Sequence, residues 1–117
     1  MIHLKVKDVI GTNLAVSTEN GEKVYKEIEK NLNQGETVIL DFYDISLIIT
    51  AFLNAAIGSL FRDQKYTTKF LNENVLLKNI DSSDTQLFIE VINRAKEYFA
   101  NKDFIDKNNQ DSIYGKD

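Results

Sequence analysis

Apolar positions along the chain switch between two periods, and each switch marks an element. Ile2, Leu4 and Val6 alternate with His3, Lys5 and Lys7, the two-residue period of a strand with one wet face. Val9-Ile10 and Leu14-Ala15-Val16 flank Gly11-Thr12-Asn13, which predicts an N-terminal hairpin around a Gly/Asn turn. A helical period follows. Val24, Tyr25, Ile28 and Leu32 line one face of a helix that opens near Thr18, where Ser, Thr, Glu and Asn offer capping oxygens. Gly35 supplies the left-handed residue that ends it. Val38 to Phe42 is short, apolar and partly β-branched, the pattern of an interior strand covered on both faces.

After a polar corner at Tyr43-Asp44 and a second apolar run, Ile45 to Ile49, the helical period returns at Thr50. Leu53, Ala56, Ile57, Leu60 and Phe61 form one stripe that must pack on a sheet, with Phe52 beside it. The other face is made of small residues, Ala51, Ala55, Gly58 and Ser59, with Asn54 and Arg62 next to them. Gly58 costs a helix interior ~1 kcal/mol relative to Ala, so close approach of another backbone is expected there. That backbone belongs either to a partner or to another segment of the same chain. Asp63 to Thr68 is a polar connection and Phe70-Leu71 a helical turn. Val75 to Leu77 is a strand expected beside Val38 to Leu40, joined by a right-handed crossover through the Thr50 helix. Ser83-Asp84-Thr85-Gln86 is a capping-box sequence before a helix marked by Phe88, Val91, Ile92, Ala95 and Phe99. From Asn101 the chain is mostly polar. The expectation is an α/β domain over residues 1–100, a mixed sheet with an N-terminal hairpin and helices packed on it, and a flexible tail over 101–117.

Composition narrows the function. The 117 residues include no Cys, which leaves no disulfide framework and no Cys-ligated zinc. The net charge is −4, with lysines scattered among glutamates, which argues against nucleic acid as a partner. No apolar run approaches the ~20 residues of a membrane span, and the charged N-terminus is unlike a signal peptide, so the expected location is cytoplasmic.

Catalytic chemistry has little to build from. His3 is the single histidine and reads as a solvated side chain on a strand's polar face. The glycines stand singly, so there is no phosphate loop, and no Ser-His-Asp or Cys-His set exists. Asp41 and Asp44 lack a third ligand for a metal. The chain is therefore expected to be no enzyme, with no catalytic residue, metal or cofactor. Asp41, Tyr43, Asp44 and Thr50 would nonetheless converge at the C-terminal strand ends, where open α/β sheets bind ligands, so a small-ligand crevice there is the alternative. Thr50, at the junction of strand and helix, is placed to cap it.

From Asp41-Phe42, through the step Thr50-x-Phe52-Leu53, to Gly58 and Leu60, the segment resembles the STAS-like family of bacterial proteins, and more broadly the STAS fold of anti-sigma-factor antagonists. Asn20-Gly21 also fits the family. The resemblance covers roughly residues 2–99. It implies a regulatory, partner-switching module that binds a protein, an ATPase or kinase of the histidine-kinase type, through the helix starting at Thr50. The interface so implied is Ala51, Asn54, Ala55, Gly58, Ser59 and Arg62; a homodimer sealed by the same small-residue face is the structural alternative. In the antagonists that helix begins Asp-Ser-Ser-Gly and its second serine is phosphorylated. Those four align with Ile49, Thr50, Ala51 and Phe52 here, so Thr50 alone keeps a hydroxyl and is the one candidate phosphoacceptor.

Overall fold

The computed structural model describes residues 1–111, with side chains described for 1–62 and 65–98. β1 (Ile2–Lys5) runs directly into a short helix, α1 (Val6–Ile10), and then into β2 (Leu14–Ala15). The expected hairpin is therefore replaced by strand, helix and strand. Val6 and Ile10 lie one helical turn apart and are both buried, so a turn of helix brings both to the core where an alternating strand would separate them. Gly11, with φ of 76°, closes this helix by donating its N–H to the Lys7 carbonyl at 2.9 Å.

α2 (Thr18–Asn33) is capped by Ser17, whose hydroxyl accepts from the Asn20 N–H at 3.0 Å. β3 (Val38–Asp41) follows. The chain turns through Tyr43-Asp44 into β4 (Leu47–Ile48), α3 (Thr50–Ala56), a 3₁₀ segment (Gly58–Gln64), α4 (Thr68–Asn74) and β5 (Val75–Lys78). The long helix expected from Thr50 is thus broken at Ile57. Its second half winds more tightly, starting at the glycine that favours an α-helix least. α5 (Thr85–Asp111) closes the fold. Asp81, rather than the predicted Ser83 box, organises its entry by accepting from the Ser83 N–H at 3.0 Å. Of the polar tail expected over 101–117, the part to Asp111 continues α5 and residues 112–117 lie outside the described residues.

The α/β order is as expected, and among the described residues every ladder is parallel. β3 lies between β1 and β5, with Leu4, Leu40 and Leu77 in register and Ile2, Val38 and Val75 beside them. That row faces the helices: Val38 and Leu40 are fully buried, and Leu4, Val75 and Leu77 pack against the core. The alternate row, His3, Ile39 and Leu76, is half-buried to exposed, so β3 is not covered equally on its two faces. β2 and β4 form a separate two-residue parallel ladder. The core gathers Val24 and Ile28 of α2, Phe52, Leu53 and Ala56 of α3, Leu60, and Phe88 and Val91 of α5. Phe88 meets Phe42 edge-on, with centroids 4.9 Å apart. Among the described residues no helix is long and apolar enough to cross a membrane.

Candidate functional site

Three places hold the residues singled out in the sequence. The first is the end of β3. Asp41 is 3% exposed, and its carboxylate accepts from His3 Nε2 at 2.7 Å, Asn79 Nδ2 at 2.8 Å and the Tyr43 backbone N–H at 2.9 Å. Burial pushes its pKa up, but the Asn79 amide, the Tyr43 N–H and His3 outweigh that and hold the carboxyl below its ordinary value. A carboxylate so occupied locks the β1, β3 and β5 ends together. His3 is exposed, as expected of a solvated side chain, and is in addition Asp41's partner.

The second place is the corner beyond β3. Asp44 adopts φ of 62° and pairs with Lys7, tying the corner to α1. A polar hollow of about 300 Å³ opens here, lined by Tyr43, Asp44, Asn79, Asp81 and Asp84 with apolar backing from Phe42, Ile45 and Ile48. Of the four residues expected to converge, Tyr43 and Asp44 line it, and Asp41 and Thr50 do not. No group of three or more potential ligand side chains is placed to hold a metal ion among the described residues.

The third is α3 and its continuation, where the small-residue face divides in two. On one side α2 crosses so closely that a Cβ added to Gly21 would lie 2.5 Å from the Phe52 carbonyl oxygen and 2.7 Å from the Ala55 Cβ. Ala55 is 7% exposed for this reason. Its assignment to a partner interface is corrected: the close backbone contact expected there is made within the chain, by α2. On the other side Gly58 faces Ala95 of α5, and an added Cβ would sit 3.8 Å from the Ala95 Cβ. The looser spacing leaves a cleft of about 290 Å³, lined by Asn54, Gly58, Ser59 and Arg62 on one wall and Arg94, Ala95 and Tyr98 on the other.

Four of the six predicted interface residues thus share one cleft, while Ala51 is exposed at the start of α3 outside it. Thr50 is corrected too. Ile49 is the N-cap, α3 has no side-chain cap bond, and Thr50 is the first helical residue, half-buried. Arg62 lies over the Tyr25 ring, 5.4 Å from its centroid, and Arg94 has a long contact with Glu90 at 3.8 Å.

Sequence reasoning missed the far wall of the cleft and the role of Gly21. The spacing of Arg94, Ala95 and Tyr98 puts them on one face of α5, but nothing local said that the face meets Gly58. Gly21 did carry a signal, being a helix-interior glycine with the same propensity penalty as Gly58.

A family model described as a STAS-like domain of unknown function matches residues 20–85, more than half of the chain. It runs from Asn20, one residue before the crossing glycine of α2, through β5 to the first residue of α5. No curated protein and no solved structure matches.

Proposed function

The chain belongs to the STAS-like domain family, and from that premise we propose that it is a non-catalytic, cytoplasmic regulatory module that binds a protein partner through the cleft between α3, the 3₁₀ segment and α5. The observation that carries this reading is the grouping of Asn54, Gly58, Ser59 and Arg62, singled out by resemblance, around one concave surface. Asp41 supports the non-catalytic part. Its carboxylate is buried and triply bonded, which suits a structural tie better than an acid or base that must reach a substrate. By the same resemblance the partner is an ATPase or kinase of the histidine-kinase type, and Thr50 is the hydroxyl such a kinase would meet at the start of α3.

The test is binding to histidine-kinase-type ATPases of the same organism, measured by calorimetry with ATP and with ADP. The chain should bind at least one of them, and Asn54→Trp, which fills the cleft from an exposed position, should weaken binding by about tenfold or more with an unchanged circular dichroism spectrum. Absence of binding in both nucleotide states, or an Asn54→Trp variant that binds as wild type does, overturns the reading. Intact mass after incubation with that ATPase and ATP tests Thr50 separately.

A second reading rests on the polar hollow at the strand ends, whose volume reaches the lower range of small-molecule sites. With Asp44, Asp81 and Asp84 on its walls, it would take a cationic small molecule. Saturable binding of such a compound, lost in Asp84→Asn, would favour it over the partner reading. The homodimer has less support, since the Ala55 contact that motivated it is made with Gly21 of the same chain.

A further inference from the structure

The cleft has a chemistry of its own. Its floor, where Gly58 meets Ala95, is apolar, and its opposite walls each carry an arginine, Arg62 from the 3₁₀ segment and Arg94 from α5. No carboxylate lines it among the described residues, although the chain as a whole carries four more negative charges than positive. Each guanidinium has capacity to spare. Arg62 lies over the Tyr25 ring and in the field of Glu29. That carboxylate is already bonded by Lys65 at 2.9 Å and Tyr25 at 3.2 Å, so the five-donor guanidinium keeps N–H groups for a further acceptor. The 3.8 Å contact of Arg94 with Glu90 is longer than a hydrogen bond and exposed, so it offers weak competition. Asn54 adds an amide on the Arg62 wall. Two guanidinium forks lining one cleft with a floor of Cα and Cβ suit a ligand that has anionic ends and aliphatic stems. Inorganic phosphate would satisfy the arginines and leave the floor unfilled, whereas Asp and Glu side chains bring methylenes that cover it.

We propose that the cleft receives an acidic peptide segment of the partner protein, its carboxylates held by Arg62 and Arg94 and its aliphatic stems resting on Gly58 and Ala95. This rests on the protein-partner reading and names the chemistry of the partner at that surface.

Random dodecapeptides displayed on phage, panned against the wild-type chain and against the Arg62→Gln/Arg94→Gln double variant, test it. Both arginines are at the surface, so the double variant should melt with the wild type, and circular dichroism checks that. Wild type should enrich peptides rich in Asp and Glu with an aliphatic residue among them, and the double variant should not retain them. The best peptide, labelled and followed by fluorescence anisotropy, should lose about tenfold in affinity for each Arg→Gln change and weaken as salt is raised. Selected peptides without acidic enrichment, or peptides that bind the double variant equally, overturn the proposal. So does tighter binding of inorganic phosphate or ATP than of the best peptide, lost in the double variant, since the occupant would then be a phosphate. An ATPase complex that Asn54→Trp weakens but the double variant does not would remove the acidic segment and leave the partner reading standing.

Discussion

Two helix contacts in this chain pair a glycine with an alanine, and they have opposite outcomes. Where α2 crosses α3, Gly21 meets Phe52 and Ala55 so tightly that no side chain fits. Where the 3₁₀ segment faces α5, Gly58 stands off from Ala95 at ordinary van der Waals distance and a cleft remains. The first contact is structural and complete: removing the Cβ lets two backbones close and leaves nothing for a partner to touch. The second uses the same residue types to make a shallow floor, which the arginine walls turn into a surface. A small-residue face is therefore not an interface by itself. What separates the two cases is whether the chain already supplies the other side.

Six substitutions and one titration would break or sharpen that contrast. The largest effect belongs to Leu53, which is fully buried on the helix shared by both contacts. Leu53→Ala should cost about 2–5 kcal/mol in urea unfolding, while Asn54→Ala on the exposed side stays within about 0.5 kcal/mol. Equal losses would mean α3 is rotated from the orientation described.

Asp41 belongs to neither contact and serves as a reference. Asp41→Asn removes a charge-assisted network and should cost roughly 1.5–3 kcal/mol at neutral pH. Because its folded pKa lies below the ordinary value of 3.8, the contribution of the ionised form is complete above that value. It is lost as pH falls through 3.8 towards the folded pKa. The gap between wild type and Asp41→Asn should therefore narrow below about pH 4; a gap independent of pH down to acid unfolding would contradict the network.

Gly21→Ala comes next. Overpacking of about 1–3 kcal/mol should outweigh the ~1 kcal/mol gained in helix propensity, and a more stable variant would show that α2 and α3 can part without loss. Gly58→Ala, by contrast, should be neutral or raise stability by up to ~1 kcal/mol, while lowering partner affinity because the floor is raised. Should both glycines respond alike, the distinction between closed and open contacts fails. The smallest effect is expected at Thr50. With no cap bond to lose, Thr50→Ala should change the unfolding free energy by less than about 0.5 kcal/mol, and a loss near 1 kcal/mol would restore the capping role.

Much of the frame was legible in the sequence because periodicity reports burial. The β3 and β5 runs, the α2 stripe of Val24, Ile28 and Leu32, and the stripe of Leu53 and Ala56 in α3 with Leu60 in the 3₁₀ segment all sit where their spacing put them. Local pattern failed at α1, where five residues satisfy an alternating template nearly as well as a helical one. It failed again at Ile57, where the stripe continues but the backbone tightens. The site was legible in part. Asn54, Gly58, Ser59 and Arg62 could be grouped from one helix face, yet the direction from which α2 approaches decides that Ala55 is consumed internally. Arg94 completes the cleft from 32 residues beyond Arg62, and His3 finds Asp41 across 38. No local rule reaches across such intervals.

The parallel sheet has a kinetic consequence. Ile2 pairs with Val38, Val38 with Val75 and Leu14 with Leu47, so each ladder joins strands more than thirty positions apart and, among the described residues, no strand pairs with its neighbour in the chain. Without a hairpin to form first, each pairing must close a long loop before it returns any free energy, which slows folding relative to a helical protein of the same size. Helical turns in α2 and α3 can form ahead of the sheet on the microsecond scale. As the chain leaves the ribosome, β3 can take β1 on one edge, but its other edge waits for β5. Until β5 emerges, an apolar strand with one open side is the nascent protein's most aggregation-prone feature.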